Sequence, residues 1–235
     1  MGLKNSRFIS FTSFLFISLL CFDNFAGSFP PENSHDFDEE ITYVWNSNNI
    51  KGKNTFIKRT KNRLPKYKKF FEETAENFNI PWKLLAAISY QESHWNPKAV
   101  SKSGVRGLMM LTQETSKEVG IAKRTDPKQS IEGGALYFKK IFERLPNTIN
   151  DYDKTWMALA AYNIGYGHIL DAIKVTELLG KDPNSWNDVM STLPLLSQEQ
   201  YYNFTRFGYI PGQEVQSYVE NIRVFYQTLV LKRNI

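Results

Sequence analysis

The amino-acid sequence predicts an all-α domain over residues 64–235. From Leu64 onward the apolar residues recur at three- and four-residue spacing, which is the period of an amphipathic helix. Helix-capping residues and prolines divide this region into separate helices. No alternating run of β-branched residues has the length and period that a strand requires. With 17 Phe, 12 Tyr and 5 Trp among 235 residues, the chain has enough large apolar side chains for a packed core.

The start and stop signals predict the helices in order. Pro65 suits the first position of one helix, and a second begins near Pro81 and must end before Asn96-Pro97. Thr112 is a candidate N-cap of a third helix, which ends at Gly120. Further helices are predicted over residues 127–145, 151–162, 167–179 and 212–232.

Residues 1–27 are predicted to be a secretory signal peptide. Lys4 and Arg7 supply its positive start, and residues 8–22 form an uncharged run with the length of a signal core. Ala26-Gly27 offers small residues for cleavage. The alternative is an uncleaved membrane anchor, although the run is short for a bilayer span. The chain is therefore expected to be exported to the periplasm.

Cys21 is the only cysteine, so no internal disulfide is expected in the mature chain. Its place at the end of the apolar run also fits the lipidated cysteine of a bacterial lipoprotein. Leu20 stands where that pattern requires a small residue. Attachment to the outer membrane through this N-terminal segment is therefore an alternative to a free periplasmic protein.

Residues 28–63 are predicted to be a tether, because they contain Pro30-Pro31 and no sustained hydrophobic period. Residues 41–71 carry nine Lys or Arg and no acidic residue. This run is either a solvated linker leading into the polar face of a helix, or a basic arm that lies on anionic wall polymer or lipid headgroups. The net charge of +5 favours an anionic partner, and export excludes nucleic acid.

One carboxylate lies on the apolar face of the second predicted helix. At 100° per residue, Glu92 is about 20° from Leu85 and about 40° from Ile88 around the helix axis. Burial disfavours the charged form and raises the pKa of a carboxyl group, as a general acid requires near neutral pH. The alternative is a structural glutamate that pairs with a core arginine or caps a neighbouring helix.

Four short motifs follow one another along the chain. They are QESHWNP at 91–97, GVRGLMMLT at 104–112, AAYNIGYGH at 160–168 and YVENI at 218–222. In this order they resemble the soluble-lytic-transglycosylase-like domain over residues 64–232, and within that family the catalytic module of membrane-bound lytic transglycosylase F. The resemblance implies a helical, lysozyme-like fold of the goose type.

The resemblance implies roles for residues within these motifs and for Ser101, which lies between the first two. Glu92 matches the catalytic acid/base of the family, and Ser101 matches a serine that hydrogen-bonds the substrate near its N-acetyl group. Tyr162 and Asn163 match residues that line the cleft beside the glutamate. Tyr218 matches a tyrosine that faces the same cleft. For each of these except Glu92, the alternative is a packing or turn residue.

The chain departs from the family in two respects. Gly104 and Gly107 fit a tight loop under the sugar, but Met110 stands where many relatives have a sugar-binding glutamine. Methionine lacks the hydrogen bonds of an amide, so this substrate contact is in doubt. The F-type enzymes also carry a large solute-binding-like domain before the catalytic one. Residues 28–63 are too few to form it, so regulation through such a domain is not expected.

The sequence predicts no metal and no organic cofactor. The histidines at 35, 94 and 168 lack metal-ligand spacing, and neither a dinucleotide fingerprint nor a nucleophile elbow has its required context. The resemblance implies peptidoglycan glycan strands as the partner, cut between N-acetylmuramic acid and N-acetylglucosamine with a 1,6-anhydro product. A hydrolytic muramidase and a wall-binding scaffold without turnover are the alternatives.

The motifs contain one further carboxylate, Glu220, two residues after Tyr218. At this spacing it is expected on another face of the helix if Tyr218 faces the sugar. Hydrolysing glycosidases generally use two carboxylates. A cleft with Glu92 alone therefore favours attack by the substrate's own 6-hydroxyl over attack by water.

Overall fold

The computed structural model describes residue 45 and residues 50–232. Within this part of the chain the regular structure is helical, apart from two isolated β-bridges between residues 100 and 111. The α-helices found there are α1 Ile50–Asn62, α2 Lys68–Phe78, α3 Trp82–Ser93, α4 Gln113–Glu118, α5 Pro127–Arg144, α6 Asp151–Ile164, α7 Tyr166–Leu178, α8 Trp186–Thr192, α9 Glu199–Tyr202 and α10 Gly212–Leu231. Short 3-10 turns cover Leu64–Lys66 and Leu193–Ser197. The predicted all-α fold is confirmed.

The N-terminal predictions fall mostly outside these residues. The proposed signal peptide, Cys21 and most of residues 28–49 are not among the described positions. No helix in the described part of the chain combines the length and the apolar character that crossing a membrane requires.

Helices α3 and α6 form the centre of the domain. Every residue of 84–90 in α3 and of 154–161 in α6 is buried. A helix buried on all sides has no polar face, which explains the unbroken apolar run before Glu92. Helix α10 packs along both α3 and α6, and α5 packs against α6. Because α3 ends at Ser93, Glu92 lies where this central helix leaves the core.

Helix α1 belongs to the folded domain, which corrects the predicted tether over residues 28–63. Phe56 of α1 is completely buried. Its ring stacks on Phe225 of α10 with 4.9 Å between centroids, and meets Tyr90 of α3 edge-on at 4.6 Å. Burying a phenyl ring in this way stabilises a fold by roughly 2–3 kcal/mol. The domain therefore begins at or before Ile50 and not at residue 64.

Two arginines of this basic region make long-range hydrogen bonds to the helical domain. The Arg59 guanidinium donates a hydrogen bond to the Tyr90 hydroxyl at 3.1 Å. Arg63 donates to the His94 carbonyl oxygen at 3.0 Å. Both contacts join the N-terminal helical region to α3 and the turn after it, while Lys58 remains exposed. Of the two alternatives drawn from the sequence, the described residues fit the polar face of a helix.

The predicted caps and most helix bounds are confirmed. Thr112 accepts a hydrogen bond from the Thr115 amide at 2.9 Å, and Asp126 accepts one from the Gln129 amide at 3.0 Å. Pro65 lies in the 3-10 turn that precedes α2 and not in the helix itself. The sequence patterns did not predict α1, α8 and α9, of which α8 and α9 have at most seven residues.

Candidate active site

Glu92 meets Tyr218 where α3 packs against α10. The Tyr218 hydroxyl donates a hydrogen bond to Glu92 Oε1 at 2.5 Å. Tyr218 is buried and Glu92 is partly buried. Among the described residues no arginine and no other hydrogen-bond donor pairs with this carboxyl group. Glu92 is therefore held by a neutral donor, and its second oxygen, Oε2, is available to carry a proton.

Burial raises the pKa of the Glu92 carboxyl from 4.5 to about 7, and the hydrogen bond from Tyr218 partly offsets this rise. The position near the C-terminal end of α3 acts in the same direction as burial, because the helix dipole disfavours a negative charge there. Burial also raises the pKa of the Tyr218 hydroxyl well above 10, so Tyr218 stays a neutral donor. Near pH 7 a large share of the molecules holds a protonated Glu92, as general acid catalysis requires.

Tyr162 and Asn163 come from the last turns of α6. The Tyr162 hydroxyl donates to the Met109 carbonyl oxygen at 2.9 Å. Its pKa is raised well above 10, first by burial and then by the charge of Glu92, so the two groups lie within electrostatic reach. Asn163 is exposed and lines the same cavity as Tyr218. The structure therefore brings together residues of the first, third and fourth motifs.

Ser101 and Met110 lie in the α3–α4 loop, residues 94–112. The Ser101 hydroxyl oxygen accepts a hydrogen bond from the Val105 amide at 3.2 Å and lies 2.9 Å from the Ser103 hydroxyl oxygen. These bonds shape a turn. Met110 has φ 46, a left-handed conformation, and is partly exposed. The substrate contacts expected of Ser101 and Met110 remain predictions.

The α3–α4 loop is fastened firmly to α3. The hydroxyls of Ser89 and Ser93 both donate to the Leu108 carbonyl oxygen, at 3.1 and 2.9 Å. Gly107 has φ 87, and a Cβ at this position would lie 1.9 Å from the Arg124 carbonyl oxygen. Only glycine fits there. Together with the bond from Tyr162, these contacts fix the loop beside Glu92.

A cavity of about 450 Å³, which we call the catalytic cavity, is lined by Tyr218, the hydrogen-bond partner of Glu92, and by Gln91, the residue before it, but not by Glu92 itself. Its walls carry amide, hydroxyl and carboxyl groups from Gln91, Asn163, Gln213, Glu214, Ser217, Tyr218 and Asn221. Such groups match the hydroxyl and acetamido groups of a sugar. Among the described residues no group of three or more His, Cys, Asp or Glu is placed to hold a metal ion.

The sequence patterns did not reveal most of the α10 side of this cavity. Glu214 lies four residues before Tyr218 and Asn221 three residues after it, a helical spacing that could have identified both. Ser217 directly precedes Tyr218, and this spacing does not predict it. Glu214 corrects the expectation that Glu92 would be the only carboxylate of the cleft. It precedes the YVENI motif and so lies outside the four motifs. Glu220 is exposed and does not line the cavity.

The fold and the site define a lysozyme-like helical protein in which a partly buried acid, Glu92, is hydrogen-bonded to a residue that lines a polar cavity. Residues 69–184 match the family model of the transglycosylase SLT domain. A chain of the lytic transglycosylase Slt from Pseudomonas aeruginosa, an inactive mutant, has a similar fold. Its TM-score is 0.50 with 23% sequence identity, over 67% of this chain and 23% of that chain.

Among curated proteins, the chain is similar to F-type transglycosylases. It is 51% identical over 175 residues to the membrane-bound lytic murein transglycosylase F of Vibrio campbellii. It is 53% identical over 178 residues to the membrane-bound lytic murein transglycosylase F 1 of Alkalilimnicola ehrlichii. The alignments cover 74% and 76% of this chain, but only 32% and 36% of those proteins. The chain thus spans about a third of the length of the relatives that it matches.

Proposed function

We propose that this protein is a peptidoglycan lytic transglycosylase, which cuts the β-1,4 bond between N-acetylmuramic acid and N-acetylglucosamine. The observation that carries the proposal is Glu92, an acid with a pKa near 7 beside a cavity of polar side chains. The relatives that are identical at about half of the aligned positions are named lytic murein transglycosylases, which supports the same substrate class.

In the proposed mechanism Glu92 acts twice. Its protonated carboxyl donates a proton to the bridging oxygen as the bond from that oxygen to the anomeric carbon breaks. The carboxylate then accepts the proton of the muramic 6-hydroxyl, while that oxygen bonds to the same anomeric carbon. The product carries a 1,6-anhydro ring, and Glu92 is again protonated. Because Tyr218 donates to Oε1, the transferred proton is carried on Oε2.

The residues around Glu92 position the acid and the sugar. Tyr218 orients the carboxyl and, by donating a hydrogen bond, keeps its pKa from rising further. Tyr162 fixes the α3–α4 loop through the Met109 carbonyl oxygen. Asn163 offers an amide at the wall of the catalytic cavity, and Ser101 is the proposed partner of the N-acetyl group. The N-acetyl group itself stabilises the positive charge that develops at the anomeric carbon.

Glu214 favours a second candidate function, a hydrolytic muramidase. It lines the catalytic cavity, and no hydrogen bond or ion pair to its carboxyl occurs among the described residues. A carboxylate in this position has the chemistry of a base that activates water. The two candidates differ in their products, because a hydrolase leaves reducing muramic ends.

Mass analysis of fragments released from purified peptidoglycan tests the proposal. We expect muramic ends that are lighter by one water than hydrolysed ends, because the 6-hydroxyl replaces water as the nucleophile. Reducing muramic ends as the main product would assign the muramidase instead. In that case Glu214→Gln should abolish these ends, whereas a transglycosylase bearing Glu214→Gln still forms anhydro ends.

Glu92→Gln provides the inactive reference for this experiment. Removing the general acid should lower the turnover number by about 10²–10⁴ while the protein stays folded. Glu220→Gln is the matched control, because Glu220 is an exposed carboxylate of α10 outside the cavity. Equal turnover of Glu92→Gln and the parent would remove Glu92 from the mechanism. Sacculi left intact by the parent itself would indicate a wall-binding scaffold.

The proposal also assigns the protein to the cell envelope, where its substrate lies. Residues 1–27 have the pattern of a signal peptide, and the relatives are named membrane-bound. A periplasmic enzyme, free or held at the outer membrane through Cys21, fits both observations.

A further inference from the structure

A cluster of exposed aromatic rings lies between α9 and α10. We call residues 203–211 the aromatic loop. Phe204, Phe207 and Tyr209 are 86%, 49% and 58% exposed, and they are the only strongly exposed aromatic side chains with large apolar surface in the described part of the chain. Single exposed apolar residues are ordinary, but several within six positions indicate a surface that meets a partner.

The protein holds this loop in a defined conformation. The buried carboxylate of Asp171 in α7 accepts hydrogen bonds from the backbone amides of Arg206 at 3.2 Å and Phe207 at 2.8 Å. The Thr205 hydroxyl oxygen accepts a further bond from the Gly208 amide at 3.2 Å. Rings held in place before binding lose little entropy when they meet a ligand, so a fixed loop suits recognition.

The aromatic loop approaches the catalytic cavity through Phe207 at its middle and through its C-terminal end. The Phe207 ring lies against Gly167, where an added Cβ would come within 2.5 Å of Cζ. Gly167 follows Asn163, which lines the cavity, by four residues, so their Cα atoms are at most roughly 14 Å apart. At its other end the loop leads directly into α10, whose residues Gln213 and Glu214 line the cavity.

Phe204 also borders a second concave surface, of about 620 Å³, which we call the outer groove. Its other lining residues are Gln198, Glu199, Gln200 and Asn203. A sugar presents C–H bonds on one face and hydroxyl or acetamido groups at its edge, so an aromatic ring beside amide groups suits it. A surface that inserts into a membrane combines apolar with basic residues. The aromatic loop has one exposed basic residue, Arg206, and the groove beside it carries the Glu199 carboxylate, which anionic headgroups would repel.

We propose that the aromatic loop and the outer groove form a second saccharide-binding surface, which holds the glycan strand outside the catalytic cavity. The inference rests on the proposed function, because the ligand is the same polysaccharide. Sugars close to the cleavage point occupy the catalytic cavity, and sugars further along the strand stack on Phe207 and Phe204. Long strands and intact sacculi engage both surfaces, whereas short fragments fill only the cavity.

Sedimentation of the protein with purified insoluble sacculi tests the proposal without cleavage if all variants carry Glu92→Gln. Replacing both Phe204 and Phe207 by Ala should weaken binding by about fivefold or more, as the loss of two ring contacts predicts. Leu178→Ala is the matched control, because Leu178 is 73% exposed at the far end of α7. Equal binding of the double variant and this control would overturn the proposal. Phe204→Ala alone gives the same test if the double variant does not fold.

Two further measurements are needed. One separates failure of the second surface from failure of the proposed function, and the other tests whether the loop binds membranes. In the active protein, the double variant should lower the ratio of the rate on sacculi to the rate on short glycan fragments by a similar factor. A parent that cleaves neither substrate contradicts the proposed function, whereas an unchanged ratio contradicts only the second surface. If the double variant loses binding to phosphatidylglycerol vesicles and keeps its binding to sacculi, the loop contacts membranes and the proposal is wrong.

Discussion

At the scale of single residues, two effects set the pKa of Glu92: burial raises it, and one hydrogen bond from Tyr218 lowers it by a smaller amount. A buried carboxyl without a cationic partner is driven toward its neutral form. Tyr218 stabilises the charged form through one hydrogen bond, so the carboxyl titrates near pH 7 instead of higher. A group that titrates there can both donate and accept a proton in one catalytic cycle.

The pH dependence of the activity follows from this balance. A general acid must be protonated, so kcat/KM should fall as the pH rises through about 7. In Tyr218→Phe the hydrogen bond that lowers the pKa of Glu92 is lost, and the fall should move to higher pH. Rate profiles between pH 5 and 9, with Tyr166→Phe as the control hydroxyl deletion, measure the shift. A profile of Tyr218→Phe that coincides with the parent would show that this hydrogen bond does not tune the acid.

At the scale of helices and loops, the site depends on how α3 is surrounded. Helix α10 brings Tyr218 to Glu92, α6 brings Tyr162, and the α3–α4 loop is tied to α3 through Ser89 and Ser93. Helix α1 also packs on α3, where Phe56 contacts Tyr90. The position of the acid is therefore set by contacts between helices that are far apart in sequence.

Phe56→Ala tests whether α1 is an integral helix. The ring is completely buried in an aromatic cluster with Tyr90, Trp95 and Phe225, and its removal leaves a cavity. The free energy of unfolding should fall by about 3–5 kcal/mol. Denaturant titration followed by circular dichroism measures this change. Lys58→Ala, an exposed substitution in α1, should change it by less than about 0.5 kcal/mol. A similarly small effect of Phe56→Ala would show that α1 does not stabilise the domain and would support the predicted tether.

At the scale of the whole molecule, Glu92 makes the stability of the domain depend on pH. Its pKa is about 7 in the folded protein and near 4.5 in an unfolded chain. Between these values the folded state binds more protons than the unfolded state, so stability falls as the pH rises through this window. Below the window Glu92 is neutral in both states, so its burial lowers the free energy of unfolding little.

Replacement of Glu92 by Gln should remove this dependence. At pH 8 the variant should be more stable than the parent by up to about 3 kcal/mol, because the amide has no charge to bury. At pH 4 the two should differ little. Thermal unfolding at both pH values gives the comparison, and Glu220→Gln serves as the exposed control. A Glu92→Gln variant that is less stable than the parent at pH 8 would contradict a buried acid.

The sequence alone determined the helical class and most helix bounds, and it predicted Glu92 as the acid. Apolar spacing and capping are local signals, since they depend on residues within about four positions of each other. They correctly located the caps at Thr112 and Asp126 and the ends of α3, α6 and α10 to within about three residues. The burial of Glu92 on an apolar face was visible for the same reason.

Only the tertiary structure decided which surfaces work together. Phe56 is buried by Phe225 from the other end of the chain, so no local pattern could assign α1 to the domain. Glu214 enters the catalytic cavity because α10 packs against α3, and the aromatic loop is held by Asp171 of α7. Burial, cavities and pKa shifts arise from partners that are distant in sequence, and the packing of the helices alone brings those partners together.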